Sequence, residues 1–439
     1  MSSRSRIMSL RACCLVLAIV ALQRPSLAIG AGELDPTFGT NGTVTTPIGP
    51  PGPSQMAATA YDLVIQSDGA IVVSGGADGR ALLARYTTVG VLDATFGDGG
   101  IVVSSQGAPG EHFGIAQQDD GKFVAVGNDA DGRADGSVAR YHVDGAFDED
   151  FGTAGFVLTT LGSVGGAFLD VALQPDGSIV TAGYARDADI HAILARYDAD
   201  GALDPAFGSG GIAMPALGTS AFQGLVRQAD GELVAAGFEL VGSTRRMLVA
   251  RFDTTGALDP TFGAEGIVTT SIGTTDAFAY AVAIAPGGTI VVSGEAVRTT
   301  DVHEVVVARY LSDGQPDASF GTDGVVTTTI GTRAYGQDVV VQPDGKTVVV
   351  GNALAGGASE SFFVARYLAN GAVDPDFGSG GVTTTNIGLG HAGAMAVGRQ
   401  ADAKIVAAAS RPSTAQSWPS RATSAKGRRP RRPRAAPAP

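Results

Sequence analysis

The sequence predicts an all-β chain, a seven-bladed β-propeller of four-stranded antiparallel blades, and three observations predict it. A turn of the pattern Leu-Asp-x-x-Phe-Gly, with small variations, recurs seven times. Its phenylalanines, Phe38, Phe96, Phe151, Phe207, Phe262, Phe320 and Phe377, lie 55 to 58 residues apart. Each interval holds four apolar stretches of strand length, such as FLDVALQ (168–174), SIVTAGY (178–184), HAILARY (191–197) and GIAM (211–214). No stretch carries a helical apolar period long enough to compete. Four-stranded units of this length, repeated radially, mark a propeller; a solenoid of short rungs would repeat faster.

Taken in order, the chain opens on what reads as an export signal, residues 1–28. Arg4, Arg6 and Arg11 precede an apolar run, Ala12 to Leu22, too short to span a bilayer, and Ser26 and Ala28 supply the small residues expected before cleavage. The alternative is a retained membrane anchor. Both cysteines, Cys13 and Cys14, fall inside this segment. The mature chain then has no disulfide, thiolate zinc site or cysteine nucleophile. Its expected place is the periplasm or the cell exterior.

Residues 29–410 are the propeller. LDPTFG and a lone strand, GTVTT (42–46), come first, then six complete units, then two strands of a seventh, GAMAVGRQ (393–400) and KIVAAAS (404–410). The N-terminal strand is of the outermost type and is expected to complete the last blade and close the ring, removing an exposed sheet edge. Within each unit the first two strands are joined by a short turn, Asp68-Gly69, Asp120-Gly121, Asp176-Gly177, Asp230-Gly231 or Asp344-Gly345, with Gly287-Gly288 in its place once. Asp-Gly favours a hairpin because glycine accepts positive φ.

Six units carry an Ala-Arg-aromatic motif in the third strand, then Asp eight residues after the Arg and Phe three later. The sets are Arg85, Asp93, Phe96; Arg140, Asp148, Phe151; Arg196, Asp204, Phe207; Arg251, Asp259, Phe262; Arg309, Asp317, Phe320; and Arg366, Asp374, Phe377. Unchanging spacing within one chain points to scaffold: Asp caps the turn, Arg pairs with it or with a neighbouring loop, and Phe plugs the gap between blades. A ring of ligand-binding arginines is the rival reading. Length varies instead between strands two and three and between one unit and the next. In a meander these connections emerge at one end, and variation confined to one face marks a binding face.

After Ser410 a third strand is due and does not appear. Residues 411–439 are basic and Pro-rich, with eight Lys or Arg and no acid, and read as disordered. A frameshift is one source: back-translation of Ser420 to Lys426 in a shifted frame can spell Ala-Arg-Tyr, and the gene sequence across codons 408–439 decides it. The last blade is therefore expected to lack its third strand. Between the two basic ends, residues 29–410 hold 43 acidic and 18 basic side chains. A body of net charge −25 repels nucleic acid and anionic lipid, so neither is an expected partner.

Candidate chemistry is sparse. Asp62, Asp170 and Asp338 hold equivalent positions early in the first strands of units one, three and six, nearest a propeller's axis. Together they are candidates for a hard cation such as calcium, or else they bond to neighbouring N–H groups. Tyr61, Phe113, Phe168, Phe222, Tyr280 and Tyr335 are candidates to stack on a sugar or peptide, or to pack the blades. The histidines, His112, His142, His191, His303 and His391, share no register and read as scattered surface residues rather than a zinc or iron site. The loop NDADGRADG (128–136) has Asp129, Asp131 and Asp135 at the wrong spacing for an EF-hand and reads as a solvated acidic turn. No GxSxG elbow, phosphate loop or HExxH occurs.

Stretches such as VALQPDGSIVTAGY and AILARYDADGALDPAFGSGG, within residues 171–211, resemble the delta-60 repeat family of bacterial, often exported, proteins. The resemblance spans about residues 33–410. It implies a β-propeller-like array with no established enzymatic activity, and it carries over no catalytic residue. The functional expectation is a non-enzymatic, monomeric binding or scaffold protein without a resident cofactor, meeting a protein, glycan or surface component through its variable-loop face. The alternative is a propeller hydrolase or lyase using a cation at the channel mouth.

Overall fold

A computed structural model describes residues 14–20, 31–49, 58–105, 109–130, 135–273, 275–299, 302–354, 360–386 and 393–410. The basic tail, the proposed frameshift, Asp131 and His391 lie outside these residues, as does the export signal except at 14–20. Every regular element described is a β-strand.

The strands form five antiparallel four-stranded sheets and one eight-stranded sheet that holds repeat units five and six. Unit one is Ala58–Ile65, Ile71–Ala77, Arg80–Tyr86 and Ile101–Val103, paired in chain order. The first strands of units two to seven are Pro109–Gln117, Gly165–Leu173, Ser220–Arg227, Ala277–Ile284, Arg333–Val341 and Gly393–Arg399. Units five and six share one sheet through a single parallel bridge, His303 to Arg333. No described sheet closes on itself by hydrogen bonds. The meanders meet by side-chain packing, and each first strand contacts the first strand of the next unit, with Gly393–Arg399 returning to Ala58–Ile65. The second and third strands are almost wholly apolar and buried because both faces of each meander are covered, as in Val72, Val73, Leu82 and Leu83.

The first-to-second strand turns show why Asp-Gly recurs. Gly69 adopts φ +86°, and the Asp68 carboxylate accepts the N–H of Ala70 at 2.9 Å. In the seventh unit Ala403 takes φ +72° at the glycine position, a strain the other turns avoid.

The seventh unit differs from expectation. Its order is Gly393–Arg399, Ile405–Ser410, Cys14–Val20, Thr43–Pro47. The N-terminal strand does hold the outer place, but the third place is not empty: Cys14–Val20, read above as the core of an export signal, runs antiparallel to both neighbours. The physical reason is backbone satisfaction. A missing strand would leave two facing edges of unpaired N–H and C=O groups, and an extended apolar segment pairs both.

Candidate functional site

The repeated motif is built from the turn upward. In unit four Asp259 Oδ1 accepts the N–H of Thr261 at 2.9 Å. Asp259 Oδ2 accepts Arg251 Nε at 2.7 Å. The guanidinium also donates to Thr261 Oγ1 (3.0 Å) and to the carbonyl of Ser312 in unit five (2.6 Å). It lies 4.9 Å over the Phe262 ring. Arg85, Arg140, Arg196 and Arg309 repeat this reach, to the carbonyls of Val143, Ala199, Thr254 and Ala369. Arg366 pairs with Asp374 at 2.7 Å over Phe377. The residues Asp93, Asp148, Asp204 and Asp317 sit as Asp259 does. The phenylalanines Phe96, Phe151, Phe207 and Phe320 are fully buried.

The glycine after each Phe donates to a carbonyl in the following unit: Gly97 to Asp144, Gly152 to Asp200, Gly208 to Thr255, Gly263 to Asp313, Gly321 to Asn370, Gly378 to Ala31 and Gly39 to Val89. The seventh turn has no arginine. There Asp35, almost fully buried, accepts Lys404 Nζ at 2.9 Å. Burial alone would raise the Asp35 carboxyl, but Thr37 and Lys404 outweigh it and hold it below the ordinary value. All these charges are spent within the scaffold.

Asp62, Asp170 and Asp338 also turn inward on the backbone. Each follows a β-bulge in its first strand. One oxygen accepts the N–H of the next residue, Leu63, Val171 or Val339, at 2.7 Å. The other accepts from the neighbouring unit: Ile115 (2.8 Å), Leu225 (2.6 Å) or Val397 (2.7 Å). Each carboxylate thus clamps two adjacent bulges: units one and two, three and four, six and seven. The facing positions are small, and a Cβ added at Gly114 would lie 3.0 Å from the Asp170 backbone.

The three side chains keep some accessibility along the first strands, yet protein surrounds them closely. Burial, the largest cause, pushes Asp62 up to about 6 and Asp338 up to about 8, and raises Asp170 well above the carboxylate range; like charge within the trio adds to Asp170 and Asp338. The oxygens a cation would take already accept backbone donors. Among the described residues no group of three or more His, Cys, Asp or Glu is placed to hold a metal ion.

A different polar cluster lies at the end where strands two and three are joined. Glu295, 5% exposed, sits near the end of Ile290–Thr299. His303 sits near the start of Val302–Tyr310, diagonally opposite it in the hairpin. His303 Nδ1 lies 2.6 Å from Glu295 Oε2, and the Tyr280 hydroxyl donates to Glu295 Oε1. Tyr335, from the first strand of unit six, stands with its ring 5.3 Å from the imidazole. Burial and the Glu295 charge push the Tyr335 phenol up to about 12. Beside it, Phe278 stacks on Tyr280 at 6.2 Å, and Arg245 lies between Phe238 and Phe278 while pairing with Asp276 at 3.0 Å. The imidazole is held by its Nδ1 edge, so Nε2 is the edge left for a ligand, beside tyrosine rings that are only partly buried.

Sequence reasoning placed the aromatics unevenly. Phe168 and Phe222 are fully buried packing residues, edge-on to Tyr197 and Phe252. Tyr61 and Phe113 form an edge-to-face pair at 4.9 Å in units one and two. The histidines are not uniformly surface residues. His112 is fully buried, its Nε2 2.7 Å from Tyr141 Oη, and burial pushes it down to about 3. His303 is part of the cluster above. In the acidic loop, Asp129 is buried rather than solvated.

Six segments, residues 66–96, 118–151, 174–207, 228–262, 286–320 and 342–377, match the model of a domain of unknown function described as DUF5122 beta-propeller. The chain is a β-propeller repeat protein. Each match runs from a first turn to the motif phenylalanine of its unit. The match supports the propeller repeat and does not carry the delta-60 name. No curated protein matches the chain. Among solved structures, a virginiamycin B lyase from Staphylococcus aureus aligns over 80% of this chain and 94% of its own, at 10% identity and a TM-score of 0.41. A puromycin hydrolase aligns over 77% and 48%, at 14% identity and a TM-score of 0.45. The PQQ-bound aldose sugar dehydrogenase of Streptomyces coelicolor aligns over 78% and 93%, at 16% identity and a TM-score of 0.39.

Proposed function

We propose that this chain is an exported, ring-shaped binding protein of seven blades that holds a glycan at the mouth formed by units five and six. One observation carries the reading. Glu295, His303, Tyr280 and Tyr335 form a polar, aromatic-walled cluster on the variable-loop face, whereas every repeated charge elsewhere is consumed by the scaffold. Sugars are recognised by this pairing of fixed hydrogen-bonding groups with tyrosine faces. The contacts between consecutive first strands and the seven glycine-to-carbonyl bonds between consecutive units support a closed ring.

The test is calorimetric titration with neutral and uronic-acid polysaccharides. Binding that falls at least tenfold in both His303→Ala and Tyr335→Ala, with unchanged thermal unfolding, supports the site. Binding unaffected by both removes it.

A lyase is the second reading, favoured by the Glu295–His303 bond. A carboxylate on Nδ1 fixes the imidazole tautomer and leaves Nε2 as a proton acceptor. Formation of an unsaturated sugar product by the wild type, lost in His303→Ala, would select it over simple binding.

A further inference from the structure

The third-strand place of the seventh unit differs from the other six in where its strand comes from. Elsewhere the strand is continuous with its neighbours and carries the Arg that binds the turn Asp. Here the occupant, Cys14–Val20, comes from the far end of the chain. It pairs from Cys14 opposite Pro47 to Ala18 opposite Thr43 on one side, and from Val16 opposite Ala409 to Val20 opposite Ile405 on the other.

Both walls of this slot are held without the occupant. The outer wall, Thr43–Pro47, is tied to unit one by Tyr86 Oη donating to Thr46 Oγ1 (2.9 Å) and by Gly39 N–H to Val89 O (2.9 Å). The inner wall is tied to unit six by the Asp338 carboxylate on Val397 N–H (2.7 Å) and to unit one by Gln400 on Gly69 O (3.4 Å). The turn carboxylate Asp35, which takes an arginine from the third strand in every other unit, is satisfied by Lys404. The slot therefore asks its occupant for backbone hydrogen bonds and apolar side chains. Its inner wall is Ile405 to Ala409, all fully buried.

We propose that this slot is a strand-acceptor site: in the chain freed of residues 1–28, an extended, uncharged apolar segment of another polypeptide inserts antiparallel between Ile405–Ser410 and Thr43–Pro47. The chain's own downstream sequence does not fit. Residues 411–439 contain no Val, Ile, Leu, Phe or Tyr and six prolines, which cannot donate to a ladder. Two facing edges left open are a template for a strand from elsewhere.

The experiment uses the full chain. A site-specific protease sequence replaces residues 23–28, and the intact protein is folded and then cut. The probe is a labelled, lysine-tagged peptide of residues 12–22 with serine for both cysteines. Saturable uptake of the peptide after cutting, absent before cutting and absent for a peptide with proline in place of Leu17, supports the site. Retention of the cut strand through gel filtration supports it equally. Release of the cut strand with no peptide uptake overturns it. Self-association of the cut chain without uptake overturns the assignment to a different polypeptide. In the uncut chain, a disulfide that forms between Leu17→Cys and Ala408→Cys, and not between Leu17→Cys and Ala407→Cys, in a Cys13→Ser, Cys14→Ser background, checks the register independently of cutting. Because the cut is made on purified protein, the outcome does not depend on export or on glycan binding at the mouth.

Discussion

Asp338→Asn should change the sign of its effect on stability with pH. The Asp338 carboxylate accepts Val339 N–H and Val397 N–H, both at 2.7 Å. Asparagine keeps one acceptor and turns a donor toward the other N–H. Near pH 5 one buried N–H therefore loses its partner, and the variant is less stable by about 1–3 kcal/mol. Burial, with the Asp62 charge behind it, raises the wild-type carboxyl from 3.8 to about 8. The folded state then holds the proton more tightly than the unfolded chain. That contribution is complete below the unfolded value and is lost as pH climbs towards 8, a drop of at most about 6 kcal/mol. The variant has no such slope. By about pH 9 it should equal or exceed the wild type by roughly 2 kcal/mol. Urea unfolding followed by circular dichroism across this range measures the difference. A wild-type-minus-variant difference that is flat with pH, or that grows in the wild type's favour as pH rises, would refute a clamp that carries its proton.

Arg251→Lys should cost about 2–3 kcal/mol, because a single ammonium cannot reach Asp259, Thr261 and the Ser312 carbonyl together while stacking on Phe262; denaturant midpoints compare it with Arg251→Ala. Lys404→Met should destabilise by about 1–3 kcal/mol and flatten the loss of stability below about pH 4. There Asp35, held below its ordinary value, is protonated as pH falls and its contribution disappears. Gly90→Ala should cost about 3 kcal/mol or more, since an added Cβ at φ +81° lies 2.5 Å from the Phe38 ring. Gly79→Ala, at φ +76° with nothing within 4 Å, should cost only about 1–2 kcal/mol; parallel thermal melts separate the two.

The repeat was legible because its spacing never changes. Arg, Asp, Phe and two glycines at fixed separations describe one backbone turn, and the structure spends each of them on that turn and on the unit beyond. The three clamping carboxylates were legible as a set, but their second partners were not, since Ile115, Leu225 and Val397 lie 53 to 59 residues away in the next unit. The mouth cluster left only a faint trace. Aligning the units on the second-strand glycine puts Gly76, Asn128, Tyr184, Phe238, Glu295 and Asn352 in one register, and Glu295 is the only carboxylate among them. His303 meets it diagonally across a hairpin whose loop length differs from unit to unit, so fixed-offset counting missed the pair. The strand at 14–20 was not legible as one, because an apolar run reads equally as a signal core.

The clamps work two by two. Asp62, Asp170 and Asp338 marry six first strands into three couples and leave unit five single, with Ala281 at the clamp position and no such carboxylate toward either side. Unit five carries Tyr280, Glu295 and His303, and it meets unit six through the bridge from His303 to Arg333, the Gly321 N–H on the Asn370 carbonyl and Arg309 on the Ala369 carbonyl. The one first strand that no carboxylate couples thus belongs to the unit that carries the Glu295–His303 cluster.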